Sequence, residues 1–320
     1  MKKLLGIVLV LALVIAPVFA KGDKEAQNSG AKYKVGVVQL VQHPALDAAT
    51  EGFKEALKAE FGDDVAFAEG NASGDVSTCS TIVNGFIASG VDLIMANATP
   101  ALQAAAAATA TIPVLGTSIT HYAPALELDS WNGTVGTNVS GTSDLAPLDA
   151  QAAMVKEWFP DAKTVGLIYC SAEANSIFQI EEVEKYFKEL GLETRRFAFT
   201  DTNDIASVTQ KAADASDVIY IPTDNTAASN TEAIANILVA SKTPAICGEE
   251  GICAGCGVAT LSISYHDLGI LTGQMAAAIL KGEQKVSEMP IGYASATKKY
   301  NPKMCEALGI TPLAGYEPIV

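Results

Sequence analysis

Basic charge is scarce. Lys and Arg number 21 against 36 Asp and Glu, a net charge of −15 over 320 residues. A nucleic-acid partner wants a basic face, so that class is excluded. Histidine is scarcer still. His43, His121 and His266 lie far apart, without metal-ligand spacing. The chain has no G-x-x-x-x-G-K-[ST], no G-x-G-x-x-G after a strand and no G-x-S-x-G, so the nucleotide folds and the serine-hydrolase elbow lose their fingerprints. Six Cys are too few for a disulfide scaffold of this length. The 26 Gly show no period and 13 Pro is ordinary, which excludes collagen and low-complexity fibres. Apolar residues are plentiful, at 49%, and disorder is excluded with them. The length suggests roughly two domains.

The first twenty residues stand apart. Lys2 and Lys3 precede an uncharged, apolar run from Leu4 to Ala20, which ends in Val18-Phe19-Ala20. This reads as a signal peptide cleaved after Ala20. Lys21 rather than Cys stands directly after the cleavage point, so the usual lipoprotein attachment signal is missing there. Residues 21–31 are polar and read as a flexible leader. No later stretch is apolar enough to span a bilayer. An exported protein is expected, periplasmic or at the cell surface.

From Lys34 onward, short β-branched runs alternate with stretches of helical periodicity. Strands are predicted over 35–40, 65–68, 92–96 and 113–116, with helices over 47–61, 76–88 and 101–110 between them. A polar stretch, 118–147, shows no clear element. The alternation then resumes through strands at 164–169, 193–199, 217–221, 244–247 and 259–264. Alternation of this kind predicts an α/β protein of two Rossmann-like lobes with parallel sheets. Such sheets bind ligands beyond the carboxyl ends of their strands, where helix N-termini offer free N–H groups.

The loops at those ends are polar. They contain His43, Asn97-Ala98-Thr99-Pro100, Thr117-Ser118, Glu173-Ala174-Asn175-Ser176, Asp224-Asn225 and Glu249-Glu250. Hydroxyls and amides suit a carboxylate; acidic side chains suit an ammonium. The mixture fits a zwitterion such as an amino acid. Blander roles compete at each position. Thr99 and Asn225 fit helix caps, Asp224 fits a first helical turn, His43 before Pro44 fits a turn, and Glu249-Glu250 fits solvated charge. Glu173 and Glu249 are the one acid/base pair an enzymatic reading would use, and any acidic chain offers such pairs. Cys253-Ala-Gly-Cys256, with Cys247 nearby, is the one motif suggesting redox or metal chemistry. The glycines around it predict a turn, and a single C-x-x-C is weak evidence for zinc.

Six segments carry a resemblance: VGVVQLVQHPALDAATEGFKEAL from Val35, NATPALQAA from Asn97, GTSDLAPLDAQ from Gly141, YCSAEANS from Tyr169, IPTDNTAAS from Ile221, and GEEGICAGCGVATLSISYHDLGILTGQMAAAILKGE from Gly248. With these the chain resembles the substrate-binding proteins of ABC importers, in the branch for aromatic amino acids such as tryptophan and tyrosine. The resemblance implies a type I periplasmic binding fold, with the ligand cleft between lobes. The lobes would comprise 32–118 plus 252–288 and 123–247 plus 294–320, joined by crossings at 119–122, 248–251 and 289–293. It implies capture by hinge closure rather than catalysis, no cofactor, a membrane permease as partner, and a monomer. By position, Ala98, Thr99, Thr117 and Ser118 would hold the ligand from the first lobe. Asn175 and Ser176 would face its carboxylate. Asp224, with Glu249, would take its ammonium. Leu40, Leu145, Phe178 and Ile252 would form an apolar pocket. The Cys253–Cys256 stretch departs from what the resemblance implies, and an exported redox or metal-dependent protein, or a ligand sensor on the same fold, is the alternative.

Overall fold

A computed structural model describes residues 30–320. The predicted signal peptide and most of the leader lie outside the described residues. The first strands are β1 (Tyr33–Gln39), β2 (Val65–Asn71), β3 (Leu93–Asn97), β4 (Val114–Ile119) and β5 (Val139–Ser143). Then come β6 (Thr164–Cys170), β7 (Glu193–Phe199), β8 (Val218–Ile221), β9 (Ala245–Cys247), β10 (Ala259–Ile263), β11 (Gly292–Tyr293), β12 (Ala296–Tyr300) and β13 (Glu317–Pro318). The helices are α1 (Pro44–Phe61), α2 (Val76–Ser89), α3 (Thr99–Ala108), α4 (Tyr122–Ala125), α5 (Leu148–Trp158) and α6 (Ala174–Glu189), then α7 (Thr202–Asp214), α8 (Asn225–Ala228), α9 (Thr231–Ser241), α10 (Glu250–Cys256), α11 (Tyr265–Leu280) and α12 (Pro302–Leu308).

The strands form two sheets, ordered β11-β5-β4-β3-β1-β2 and β13-β12-β10-β9-β8-β6-β7. Every pairing in the first is parallel. In the second only β10 with β12 is antiparallel. Side-chain alternation along each strand feeds a core on either face. Val35 and Val37 of β1 pack with Phe53 and Leu57 of α1; Val38 packs with Phe86 of α2 and Leu102 of α3. The second sheet is likewise covered on both faces.

Sheet membership corrects the expected lobe boundaries. The polar segment 118–147 holds α4 and β5, and β5 extends the first sheet. It is legible as a strand only once its hydroxyls are paired: Ser140 Oγ donates to Met289 O at 2.9 Å, Ser143 Oγ donates to Thr120 O at 2.9 Å, and Thr142 Oγ1 lies 2.8 Å from Thr272 Oγ1. β10, expected in the first lobe, pairs with β9 and β12 of the second sheet. The helix that follows it, α11, packs on α1 beside the first sheet. The chain therefore crosses between sheets at 144–147, at Ser264 and at 294–295, not at 119–122, 248–251 and 289–293. Residues 248–251 instead lead from β9 into α10, so the predicted Cys253–Cys256 turn is a helix.

Candidate functional site

A narrow cavity of about 10 Å³ lies between strand-end loops of the two sheets. The first sheet contributes His43 and Leu46 from β1–α1, Ser118 and Thr120 at the end of β4, and Asp144 beyond β5. The second contributes Asn175, Thr223, Asp224, Asn225, Ala228 and Glu249; Tyr265 opens α11. No Lys or Arg lines it. Yet Asp144, Glu173, Asp224 and Glu249 are only 4%, 5%, 1% and 2% exposed.

Three of these carboxylates are engaged within the protein. Glu173 bridges two loops. Its Oε2 accepts from Asn225 N (3.0 Å), Asn225 Nδ2 (2.7 Å) and Asn175 Nδ2 (3.1 Å), and its Oε1 from Thr226 N (2.9 Å) and Thr226 Oγ1 (2.8 Å). Asp224 accepts from Cys170 N (2.6 Å), Ser176 Oγ (2.8 Å) and Ala227 N (2.8 Å), which caps α8. Glu249 accepts from Gly251 N (2.6 Å) and Ile252 N and caps α10. The solvated reading of Glu249 is thereby corrected: it is a buried cap. Burial, then the neighbouring Glu173, raises Asp224 above the usual carboxylate range. Burial pushes Glu249 up to about 7, against its backbone hydrogen bonds.

Asp144 differs. Its Oδ2 accepts from Tyr265 OH at 2.7 Å, while its Oδ1 is buried without a partner. Burial pushes it up to about 6, against the hydroxyls of Tyr265 and Thr120. Asn175 Oδ1, His43 Nδ1 and Ser118 Oγ are likewise buried and unpartnered, and all three residues line the same cavity. Asn175 is oriented by its amide, which donates to Thr223 O at 3.0 Å and to Glu173. His43 Nε2 lies 3.4 Å from Asn225 Oδ1, and burial holds the imidazole below its ordinary pKa. If that nitrogen donates, Nδ1 is left as an acceptor. Left-handed backbone at Ser118 (φ 57°) and Ala98 (φ 86°) marks the same strand ends.

A closed slot shares Asn175 with the cavity. Thr99, His121, Ala174 and Phe178 line it, and the His121 and Phe178 rings meet at 5.0 Å. His121 Nδ1 accepts from Ala123 N at 3.2 Å.

The expected residues thus separate. His43, Ser118, Asn175, Asp224, Asn225 and Glu249 line the cavity, and Thr99 and Phe178 the slot. Glu173 and Ser176 stand behind the wall as supports. Thr99 is the first residue of α3 rather than its cap; the cap position is Ala98. Thr117 Oγ1 faces Thr142 Oγ1 at 3.3 Å inside the sheet, Leu40 and Ala98 pack in the first core, and Ile252 packs in the second; none lines the cavity. Leu145 also falls outside it, and its neighbour Asp144 lines it instead. Asp144, Thr120, Thr223, Tyr265 and His121 were missed. Asp144 follows the strand that polar composition concealed, and Tyr265 is the first residue of α11. Among the described residues no group of three His, Cys, Asp or Glu is arranged to hold a metal ion.

Comparisons with known proteins follow the same architecture. The family model for ABC transporter substrate binding proteins matches residues 34–313. A tyrosine-binding protein of Clostridioides difficile (strain R20291) is 32% identical over 275 residues, 85% of this chain and 79% of that one. An ABC domain from Streptococcus pneumonia, solved in complex with L-Trp, is 34% identical, covers 91% of this chain and 100% of its own, and superposes with a TM-score of 0.85. A ligand-free, open substrate-binding protein with adhesive properties from Clostridium difficile is 33% identical over 90% of this chain and 99% of its own, with a TM-score of 0.69. The two-sheet α/β architecture is that of type I periplasmic binding proteins.

Proposed function

This chain belongs to the ABC transporter substrate-binding protein family, and from that premise we propose that it captures an aromatic amino acid outside the cytoplasm and delivers it to a membrane permease. The family binds solutes rather than transforming them. One observation carries the ligand assignment: the cavity wall presents two buried unpartnered oxygens, Asp144 Oδ1 and Asn175 Oδ1, and no cation, with His43 Nδ1 a third acceptor when Nε2 donates to Asn225 Oδ1. A primary ammonium offers three donors and one positive charge. Asp144 is the carboxylate with an oxygen to spare, so it takes the charge; Asp224 and Glu249 hold the walls. Ser118 Oγ and the opening turn of α3 at Thr99 suit the ligand carboxylate. The His121 and Phe178 rings, which meet at 5.0 Å beside Asn175, supply an aromatic face for a ligand ring once they part. The names of the tyrosine-binding and tryptophan-complexed relatives support the same class.

In this reading the protein acts as a monomer whose two layers close on the ligand about the three crossings. The test is a thermal-shift screen on protein unfolded and refolded to strip bound ligand. A ligand at a hundred times its Kd adds about 2.7 kcal/mol. A rise with tyrosine, tryptophan or phenylalanine, and none with their N-acetyl derivatives, is expected. A flat response to all twenty amino acids would exclude the assignment.

A further inference from the structure

Cys247 ends β9, and Cys253 and Cys256 stand three residues apart on α10. All three are fully buried and unpaired in the structure. They form one group in a single core cluster, with the Cys247 thiol beside those of both Cys253 and Cys256. Burial, then the Cys253 thiol, holds Cys247 well above the ordinary thiol range, and the Cys247 thiol, then burial, does the same to Cys256. A methyl group at Gly257 would stand 2.2 Å from Cys247 Sγ and 3.1 Å from Cys253 Cα. Glycine at 257 is what lets the β9 sulfur lie against the helix carrying the other two. The remaining cysteines sit on separate elements, Cys79 on α2, Cys170 on β6 and Cys305 on α12.

We propose that in the exported protein Cys247 is joined by a disulfide to one of the two α10 thiols, tying β9 to the helix behind the cavity wall. Thiols in contact are oxidised outside the cytoplasm, where thiol–disulfide oxidants act. Two S–H bonds break and one S–S bond forms. The two protons and two electrons pass, through a mixed disulfide, to a disulfide oxidant, which leaves as two thiols. The attacking species is a thiolate, and burial suppresses it in the folded protein. The bond therefore forms while β9 and α10 are still open to solvent, and folding then shields it from reductant. The third thiol stays beside the bond. The tie bears on the site because Glu249, which lines the cavity, is held by the first turn of α10. This inference does not depend on the identity of the ligand.

The test uses protein recovered after export, unfolded in excess N-ethylmaleimide without reductant and mapped by mass spectrometry. Label is expected on Cys79, Cys170, Cys305 and one α10 cysteine, with Cys247 unlabelled. Label on all six would overturn the proposal. Chain made reduced in the cytosol, then unfolded and refolded with oxidised glutathione, should gain the same bond. In the same refolding, Cys247→Ser should leave every remaining cysteine labelled. A bond between Cys253 and Cys256 in that variant, equal in yield to the parent bond, would overturn the role given to Cys247.

Discussion

Asp144 has one committed oxygen and one free one, which sets it apart from the other buried acids. Replacing it with Asn keeps the shape and removes the charge. Loss of a buried charge partner costs roughly 2–5 kcal/mol of binding, at least about thirtyfold in Kd. The fold should not suffer, because a neutral amide is easier to bury than a carboxylate. Asp144→Asn is therefore expected to melt at or above the parent temperature while failing to bind amino acid in calorimetry. Asp224→Ala should behave the opposite way in the ligand-free protein. It strands Cys170 N, Ser176 Oγ and Ala227 N, each at a cost on the order of 1–3 kcal/mol, and its melting temperature should fall clearly. If Asp224→Ala melts like the parent and Asp144→Asn still binds, the roles assigned to the two carboxylates are reversed.

At the scale of elements, glycine decides how near α1 and α11 can lie. A methyl at Gly269 would stand 2.1 Å from Ala49 O, and one at Gly52 would stand 2.2 Å from His266 O. Gly269→Ala should cost about 1–3 kcal/mol in urea unfolding by overpacking. Gly85→Ala on α2, where nothing lies within 4 Å, should instead gain roughly 0.5–1 kcal/mol. Equal effects at the two sites would contradict the packing argument. The same scale explains what the sequence could disclose. Apolar, β-branched strands such as β1, β3, β6 and β8 and the periodic helices between them announce themselves, and with them the strand-end loops holding His43, Ser118, Asn175, Asp224 and Glu249. Strand β5, Val-Ser-Gly-Thr-Ser, does not, because its hydroxyls find partners only on distant elements at Thr120, Thr272 and Met289. Losing that strand moved the first crossing and hid Asp144. The division of labour among the acids was equally illegible. Whether a carboxylate caps a helix or faces a ligand depends on which N–H groups the fold brings within 3 Å.

For the whole molecule, closure and protonation are coupled. The two layers touch across the cavity through His43 and Asn225 (3.4 Å), Gln179 Nε2 and Thr120 Oγ1 (3.4 Å), and the His121 and Phe178 rings. The chain is also nearer in shape to the tryptophan-complexed relative than to the open one. In this closed arrangement burial raises Asp144, Glu249 and Asp224, while the unfolded chain releases those protons near pH 4. Folded protein then holds more protons than unfolded protein between about pH 4 and pH 7, so its stability falls as pH rises through that window. His43 pulls the other way: burial lowers it, and its contribution is lost as pH falls below about 6.5. Three acids outweigh one imidazole. Closed protein without ligand is expected to melt higher at pH 5.5 than at pH 7.5. A bound ammonium offsets the burial of charge, so the shift produced by ligand should be larger at pH 7.5. Differential scanning at the two pH values, with and without tyrosine or tryptophan, reads both effects. If the free protein opens in solution, water reaches the carboxylates, the ligand-free difference shrinks, and only the bound form keeps the perturbed titration. The pH profile of melting thus reports which arrangement the free protein occupies.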